Sequence, residues 1–198
     1  MNYNFFALIS RMKYIDRWAL MRNTRAENLC EHSMEVAMIA HALCTIGNVR
    51  YGKNLDANKA ALIGLYHDAS EIITGDMPTP VKYFNAELKS AYKEVEKVAD
   101  KKLLEKLPED LRPVYDEVFD PKTDNENEKY MRKLVKAADK LSALIKCISE
   151  LNAGNNEFRT AKESTEKAVR TMYQDLPEVL DFVNEFLSSY GSTLDELT

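Results

Sequence analysis

The sequence predicts an all-α protein. Apolar residues recur at three- and four-residue spacing along most of the chain, and runs with strand-like alternation are scarce. Only 6 Gly and 6 Pro interrupt 198 residues, too few for a loop-rich or many-turned β fold. A chain of this length buries roughly 70% of its unfolded surface on folding. No repeat, low-complexity segment or linker divides it, so one domain over residues 1–198 is expected.

Phe5, Leu8, Ile9 and Met12 predict a first helix, and the polar stretch Asp16 to Asn28 breaks the pattern. Asn28 and Glu31 form a capping pair, so a second helix starts near Leu29 and runs to about Cys44. Val36, Ile39, Ala40 and Leu43 share one of its faces, while Met34, Ala37 and Met38 cover much of another; such a helix is expected to be central and buried. Asp56 caps a third helix with a core stripe of Leu62, Leu65, Tyr66, Ala69, Ile72 and Ile73. Gly75 stops it, and MPTPV (77–81) forbids its continuation. A fourth helix covers about Ala86 to Leu107, with Leu88, Tyr92, Val95, Ala99 and Leu103 inward and a solvated Lys/Glu face outward. Pro108 ends it, a short helix follows over Glu109 to Phe119, and Asp120 to Asn127 reads as a loop. The next helix, about Glu128 to Leu151, carries Leu134, Ala138, Leu141, Ile145 and Ile148 on one stripe. NAGNN (152–156) is a turn. Two amphipathic helices, around Phe158 to Met172 and Pro177 to Tyr190, precede a frayed terminus.

The net charge of −5 sets 27 Lys+Arg against 32 Asp+Glu. That balance argues against a nucleic-acid polymer as partner, because binding many phosphates needs a basic face. A small anion held by one or two local cations remains compatible. No apolar run approaches the roughly 18 residues of a spanning helix, so no membrane partner is expected. The amphipathic start lacks a small-residue cleavage site and does not read as a signal peptide. Cys30, Cys44 and Cys147 show no CxxC spacing, which fits free thiols in a cytoplasmic protein.

Chemistry concentrates in LYHDASEIITGD, where His67 and Asp68 are adjacent on what reads as the third helix. Neighbouring helical side chains diverge by about 100°, so one ion can take both only if it lies between their faces. Ala60, Gly64, His67, Asp68, Glu71 and Gly75 make a second stripe on that helix, small residues flanking reactive ones, with Glu71 one turn after His67 as a proton-transfer carboxylate. His32 is in register with Val36, Ile39 and Leu43 and is expected to point inward; Asp139 lies off the main apolar stripe of its helix. This N/O donor set suits Mn, Co, Zn or Fe and not a thiolate-preferring ion. Converging these groups with no cation would carry a heavy desolvation cost. Taken singly, His32 reads as a hydrogen-bonded core residue and Asp139 as a surface carboxylate; only the joint pattern argues for a metal. His41 fits no ligand spacing and reads as structural, and Cys30 as ordinary packing.

Four segments carry a further resemblance: RMKYIDRWALMRNTRAENLCEHS (11–33), YHDASEIITGDMPTPVKYFN (66–85), KAADKLSALIKC (136–147) and ELNAGNNEF (150–158). In order and spacing they resemble the bacterial HD-domain 5′-deoxynucleotidases, the YfbR-like family of the HD phosphohydrolase superfamily. The match is clearest over residues 5–162. It implies a single HD-domain helical bundle, working as a homodimer with one divalent metal ion, that converts deoxyribonucleoside 5′-monophosphates to deoxynucleosides and phosphate. Carried over by motif, the metal ligands are His32, His67, Asp68 and Asp139, with His32, Asp68 and Asp139 also bordering the substrate. Glu71 matches the catalytic carboxylate, and Arg17 the residue that orients the phosphate. Trp18 matches the residue beside the sugar, and Asp76, Met77, Pro78 and Thr79 the nucleotide-contacting segment. Without the resemblance, Arg17 would read as a solvated side chain and Trp18 as a packing anchor. Two alternatives stand beside this reading: another HD phosphohydrolase acting on a cyclic or polyphosphate nucleotide, and a non-catalytic, metal-stabilised helical interaction module. Glu71 and Arg17 weigh against the module, which needs neither.

Overall fold

Local signals decide where the helices begin and end. In the computed structural model, which describes residues 2–82, 84–119 and 124–198, Phe5–Ile9 forms α1 and a 3₁₀ turn, Ser10–Tyr14, prolongs it. The polar stretch that follows holds two short antiparallel strands, β1 (Asp16–Arg17) and β2 (Glu27–Asn28), pairing Asp16 with Asn28 and Arg17 with Glu27. They are too short for alternation to reveal them in the sequence. The remainder is all-α: α2 (Leu29–Tyr51), α3 (Ala57–Tyr66), α4 (Glu71–Thr74), α5 (Thr79–Lys82), α6 (Ala86–Leu104), α7 (Arg112–Phe119), α8 (Glu126–Asn152), α9 (Arg159–Arg170), α10 (Pro177–Glu185) and α11 (Leu194–Leu197).

The expected caps form. Asn28 Oδ1 accepts from the backbone N–H of Cys30 and Glu31 at 3.0 and 3.1 Å, and Glu31 Oε2 accepts from Asn28 N at 3.4 Å, closing the capping box of α2. Asp56 Oδ1 accepts from Lys59 N at 2.9 Å at the start of α3. Other expectations need correction. The second helix passes Cys44 and ends at Tyr51, before Gly52 at φ +62°. Gly47 does not stop it; a Cβ there would meet Glu178 Oε1 at 2.9 Å, so the glycine serves close approach. Met34 and Met38 are exposed rather than buried. The third helix ends at Tyr66, and its buried face is Ala60, Ile63 and Gly64, whereas Leu62, Leu65 and Ile73 are exposed. Leu88 and Val95 of α6 are exposed as well. Ala60 and Gly64 of the second stripe mark the packed side, because they let backbones meet, whereas Gly75 is open. Proline at 78 and 80 tolerates the single turn of α5, since a first turn needs no N–H from its leading residues. Of the expected loop Asp120 to Asn127, residues 120–123 lie outside the described residues, and Asn125 already caps α8. The terminus expected to fray carries a capped turn, with Thr193 and Glu196 in a capping box.

Contacts group the chain into two compact units, each built from separate segments. The first takes residues 1–22, 26–33 and 65–122. Its core is Phe5, Ala69, Leu103 and Leu107, ringed by Leu8, Ile9, Tyr66, Leu104, Tyr115 and Phe119. Phe5 meets the Tyr115 ring edge-on at 5.1 Å between centroids.

The second unit takes residues 23–25, 34–64 and 123–198. Its buried residues include Val36, Leu43, Leu134, Leu141, Phe158 and Val179. Here α2 and α3 cross backbone to backbone: a Cβ on Gly64 would lie 2.8 Å from Ala37 Cα. Within the same unit Lys146 and Glu150 form a buried ion pair on α8. Glu150 also accepts from Thr24 N and Asn155 Nδ2, each at 2.8 Å, and Lys146 Nζ donates to Arg25 O at 2.6 Å. Burial pushes the Glu150 carboxyl up, but hydrogen bonds from Lys146, Asn155 and Thr24 outweigh it and hold it well below the ordinary carboxylate range.

Gly64→Ala is expected to destabilise the protein by about 1–3 kcal/mol through overpacking against Ala37, read as a lower midpoint in urea. Glu150→Gln leaves Lys146 buried without its counter-charge and is expected to cost on the order of 3 kcal/mol at neutral pH. Because the folded carboxyl is depressed below its ordinary 4.5, its contribution is complete above that pH and disappears as pH falls. Acidification from neutrality to below 4.5 should therefore cost the wild type more stability than Glu150→Gln.

Candidate metal and phosphate site

His32 occupies the first turn of α2, where the Asn28 cap fixes the helix entry, and its side chain is fully buried. His67 and Asp68 lie not on a helix but in the turn between α3 and α4. The backbone there closes through i→i+3 bonds: Ala69 N donates to Tyr66 O and Glu71 N to Asp68 O, both at 3.0 Å. This tighter winding replaces the helical register expected from the sequence, and Glu71 is consequently not one α-turn from His67. Adjacent though they are, the two side chains converge here. His67 Nε2 stands 3.1 Å from Asp68 Oδ2, and His32 Nε2 stands 3.5 Å from the same oxygen. The two imidazole centroids are 5.1 Å apart. One ligand atom from each of the three residues falls within 4.8 Å of the others.

Two carboxyls flank this cluster with opposite titration behaviour. Burial alone would raise Asp68, but the charge of His67 and hydrogen bonds from His32 and His67 hold it well below the ordinary carboxylate range. Glu71, the first residue of α4, is 5% exposed, and its Oε2 has no hydrogen-bond partner among the described residues. Burial, reinforced by Asp68 and Asp76, pushes its carboxyl up to about 9, against the weaker pull of Lys82 and Arg17. A buried carboxyl with an unmatched oxygen is the signature of a group awaiting a partner. The donor set, two imidazole nitrogens and a carboxylate oxygen, fits a borderline divalent cation and could hold one.

Arg17 ends β1. Its Nη1 pairs with Glu27 Oε2 at 2.7 Å across the ladder, and its guanidinium lies 5.9 Å from the Trp18 ring centroid. Trp18 has φ +57°, the one positive-φ non-glycine among the described residues. A bulky side chain pays roughly 1–2 kcal/mol for that region. Met21 N donates to Trp18 O at 2.9 Å, and the Trp18 backbone N–H donates to Asp76. Asp76, Met77 and Pro78 follow Gly75 (φ +72°) as half-buried residues without regular structure, and Thr79 opens α5, its side chain outside the description. Burial raises the Asp76 carboxyl, with Arg17 opposing. Glu27 was missed in the sequence; its one signal was its place in RAENLCEHS, because two-residue pairing leaves no period.

Asp139 belongs to the second unit. It is half-buried on α8, and its Oδ2 accepts from Lys140 Nζ at 3.2 Å. His41 is exposed, as a residue without a ligand role would allow. No helix among the described residues is long and apolar enough to cross a membrane.

The 5′-deoxynucleotidase YfbR-like family profile matches residues 4–190. The chain belongs to that family. A 5′-deoxynucleotidase of Erwinia tasmaniensis is 50% identical over 98% of this chain and 96% of its own. An HD-domain phosphohydrolase from Listeria innocua superposes with a TM-score of 0.80 at 25% identity, covering 94% of this chain and 88% of that one. The cyanophage S-2L HD phosphohydrolase DatZ, solved with dA and one catalytic Zn²⁺ ion, shares the fold with a TM-score of 0.63 at 20% identity over 93% and 95% of the two chains. The YfbR-like match reaches past residue 162 into the C-terminal helices, where the sequence motifs alone carried little.

In the metal-free protein the raised Glu71 pKa makes folding proton-linked: stability from this group is complete below 4.5 and is lost as pH rises toward 9. Glu71→Gln should remove that loss. In chelator, its melting temperature should exceed the wild type's by a few degrees between neutral pH and 9, and the two should converge at acid pH.

Proposed function

We propose that the chain is a metal-dependent 5′-deoxynucleotidase, hydrolysing deoxyribonucleoside 5′-monophosphates to deoxynucleosides and phosphate. The observation that carries this reading is the convergence of His32, His67 and Asp68 within 4.8 Å beside a buried, unpartnered Glu71 carboxyl, in a chain that belongs to the YfbR-like family. His32, His67 and Asp68 would hold one divalent cation: Mn, Co, Zn or Fe by donor type. When bound, that cation supplies Lewis acidity, drawing charge from phosphoryl oxygens and acidifying water.

The protein's own groups supply the rest. Arg17, steadied by Glu27, presents a planar guanidinium that pairs with two phosphate oxygens and orients the group for in-line attack. Glu71, in a site that disfavours its charge, carries protons between water and the departing O5′. Trp18 sets its ring against C2′ of the sugar, where a ribose hydroxyl would collide. Asp76, Met77, Pro78 and Thr79 hold the nucleoside, with Asp76 tied to the Trp18 backbone. We extend the proposal to a cytoplasmic homodimer, on the family resemblance and the free thiols Cys30, Cys44 and Cys147.

Phosphate release from dAMP, AMP, cyclic AMP and a guanosine polyphosphate is the deciding assay, with metal stripped and restored one ion at a time. The expected result is metal-dependent release from dAMP above all others. Glu71→Ala should lower kcat by about 10²–10⁴ at unchanged metal content, whereas His67→Ala and Asp68→Ala should lose the metal. Trp18→Ala should reduce the dAMP-over-AMP preference at least about tenfold. Full activity after stripping, or no release from dAMP with any ion, would sink the proposal.

A further inference from the structure

The segment leaving α4 has little to hold it. A Cβ at Gly75 would meet nothing within 4 Å, so the exit from α4 is sterically open. The Trp18 N–H ties Asp76 on one side. On the other, Pro78 O accepts from Val81 N at 2.8 Å and Lys82 N at 3.0 Å, so the single turn of α5 anchors the segment through Lys82. The Lys82 side chain is in turn fixed. Its Nζ donates to Glu96 Oε1 of α6 at 2.7 Å and lies 4.6 Å from the centroid of the buried Tyr92 ring. The Tyr92 hydroxyl is 3.4 Å from Thr74 Oγ1 at the end of α4, the short helix that begins with Glu71. The Lys82 ammonium thus ties α5 to α6, and the Tyr92 hydroxyl beneath it ties α6 to α4, around residues 76–79.

We infer that Lys82 is a positioning residue: clamped between Glu96 and Tyr92, it holds Asp76 to Thr79 in the conformation that receives the nucleotide. The inference rests on the reading of that segment as nucleotide-contacting. Its value is geometric. An ion pair about a quarter exposed on each side adds little to global stability, and the cation over Tyr92 adds about as little. The clamp nonetheless removes freedom from four residues that must otherwise be ordered when ligand binds, and that ordering cost appears in affinity. The same charge also offsets burial at Glu71 and Asp76, on the side of the segment facing the site.

The test separates positioning from stability and from the activity itself. Lys82→Met keeps the stem on Tyr92 but loses the charge, Glu96→Gln loses the partner, and Lys82→Arg keeps both the pair and the ring contact. Each is assayed for dAMP hydrolysis in the metal-loaded enzyme and for dAMP binding through quenching of Trp18, the single tryptophan. Lys82→Met and Glu96→Gln should each raise KM and Kd for dAMP about tenfold, with kcat changed by less than about threefold and melting temperature near wild type; the double variant should be no worse than either single one. Lys82→Arg should return KM to within about threefold of wild type. Wild-type KM and Kd in both Lys82→Met and Glu96→Gln, with hydrolysis intact, overturn the clamp and leave the activity standing. Weakened dAMP binding in a protein that never releases phosphate keeps the clamp and overturns the activity. Neither binding nor release in wild type overturns both. If Lys82→Met unfolds, the Glu96→Gln and Lys82→Arg pair decides by the same criteria.

Discussion

Two imidazoles and a carboxylate cannot be gathered out of water at random; the Asp68 carboxylate facing both His32 and His67 is the contact on which the site depends. Separated, each group would be better solvated. At 3.1 and 3.5 Å, the Asp68 oxygen faces both nitrogens while the ligand positions stay assembled. The ionised form of Asp68 is favoured by the same neighbours, so the cluster keeps an anionic donor ready instead of neutralising it. The contact also explains why the chain leaves helical winding at Tyr66. In an α-helix, adjacent side chains point about 100° apart; in the turn that follows α3, His67 Nε2 stands 3.1 Å from Asp68 Oδ2.

That arrangement has a consequence next door. Putting Asp68 in its ionised form beside a buried Glu71 pushes the second carboxyl the other way. The two acids are thus divided by environment alone, one held in its ionised form and the other pushed toward its protonated form. Arg17 and Lys82 moderate the division without removing it. Trp18 extends it to the substrate segment, since its strained backbone aims an N–H at Asp76. A tryptophan is not kept at φ +57° by its own preference; the turn closed by Met21 N and the ladder at Arg17 impose it. Strain of this kind persists where surrounding contacts over-determine the backbone, and here it sets a bulky ring and a charged group side by side.

Much of this was legible in the residues, for reasons that differ by element. The caps at Asn28 and Asp56 are local chemistry, and local chemistry survives folding; Gly75, expected to stop the third helix, ends the separate α4 instead. The inward aim of His32 followed from one helical period. What misled was the assumption that large apolar residues mark the buried side. On α3 the packed face is Ala60, Ile63 and Gly64, because a backbone crossing at Ala37 leaves no room for leucine. Leu62 and Leu65 accordingly remain outside. The turn at His67 was hidden for another reason: no glycine or proline announces it, and only tertiary convergence on Asp68 selects it over continued helix. The two strands were beyond any periodic signal, so Glu27, which steadies Arg17, was invisible. Arg17, Trp18 and Asp76 to Thr79 came from resemblance and from nothing in composition.

The division between rigid and adjustable parts follows from the same geometry. The His32 and His67 nitrogens sit on a capped helix entry and a turn closed by backbone bonds, and neither leaves slack. Residues 76–79 are different. They have one backbone tie at Asp76 and one helical turn at Pro78, so their position depends on side chains reaching in from α6. A site built this way fixes its charge-handling atoms through the backbone and residues 76–79 through side chains of α6. Phosphoryl chemistry tolerates little displacement of the groups around phosphorus, whereas bases of different size and edge chemistry demand some latitude from whatever touches them. The two kinds of constraint are therefore compatible in one chain, because different elements, held by different kinds of contact, impose them.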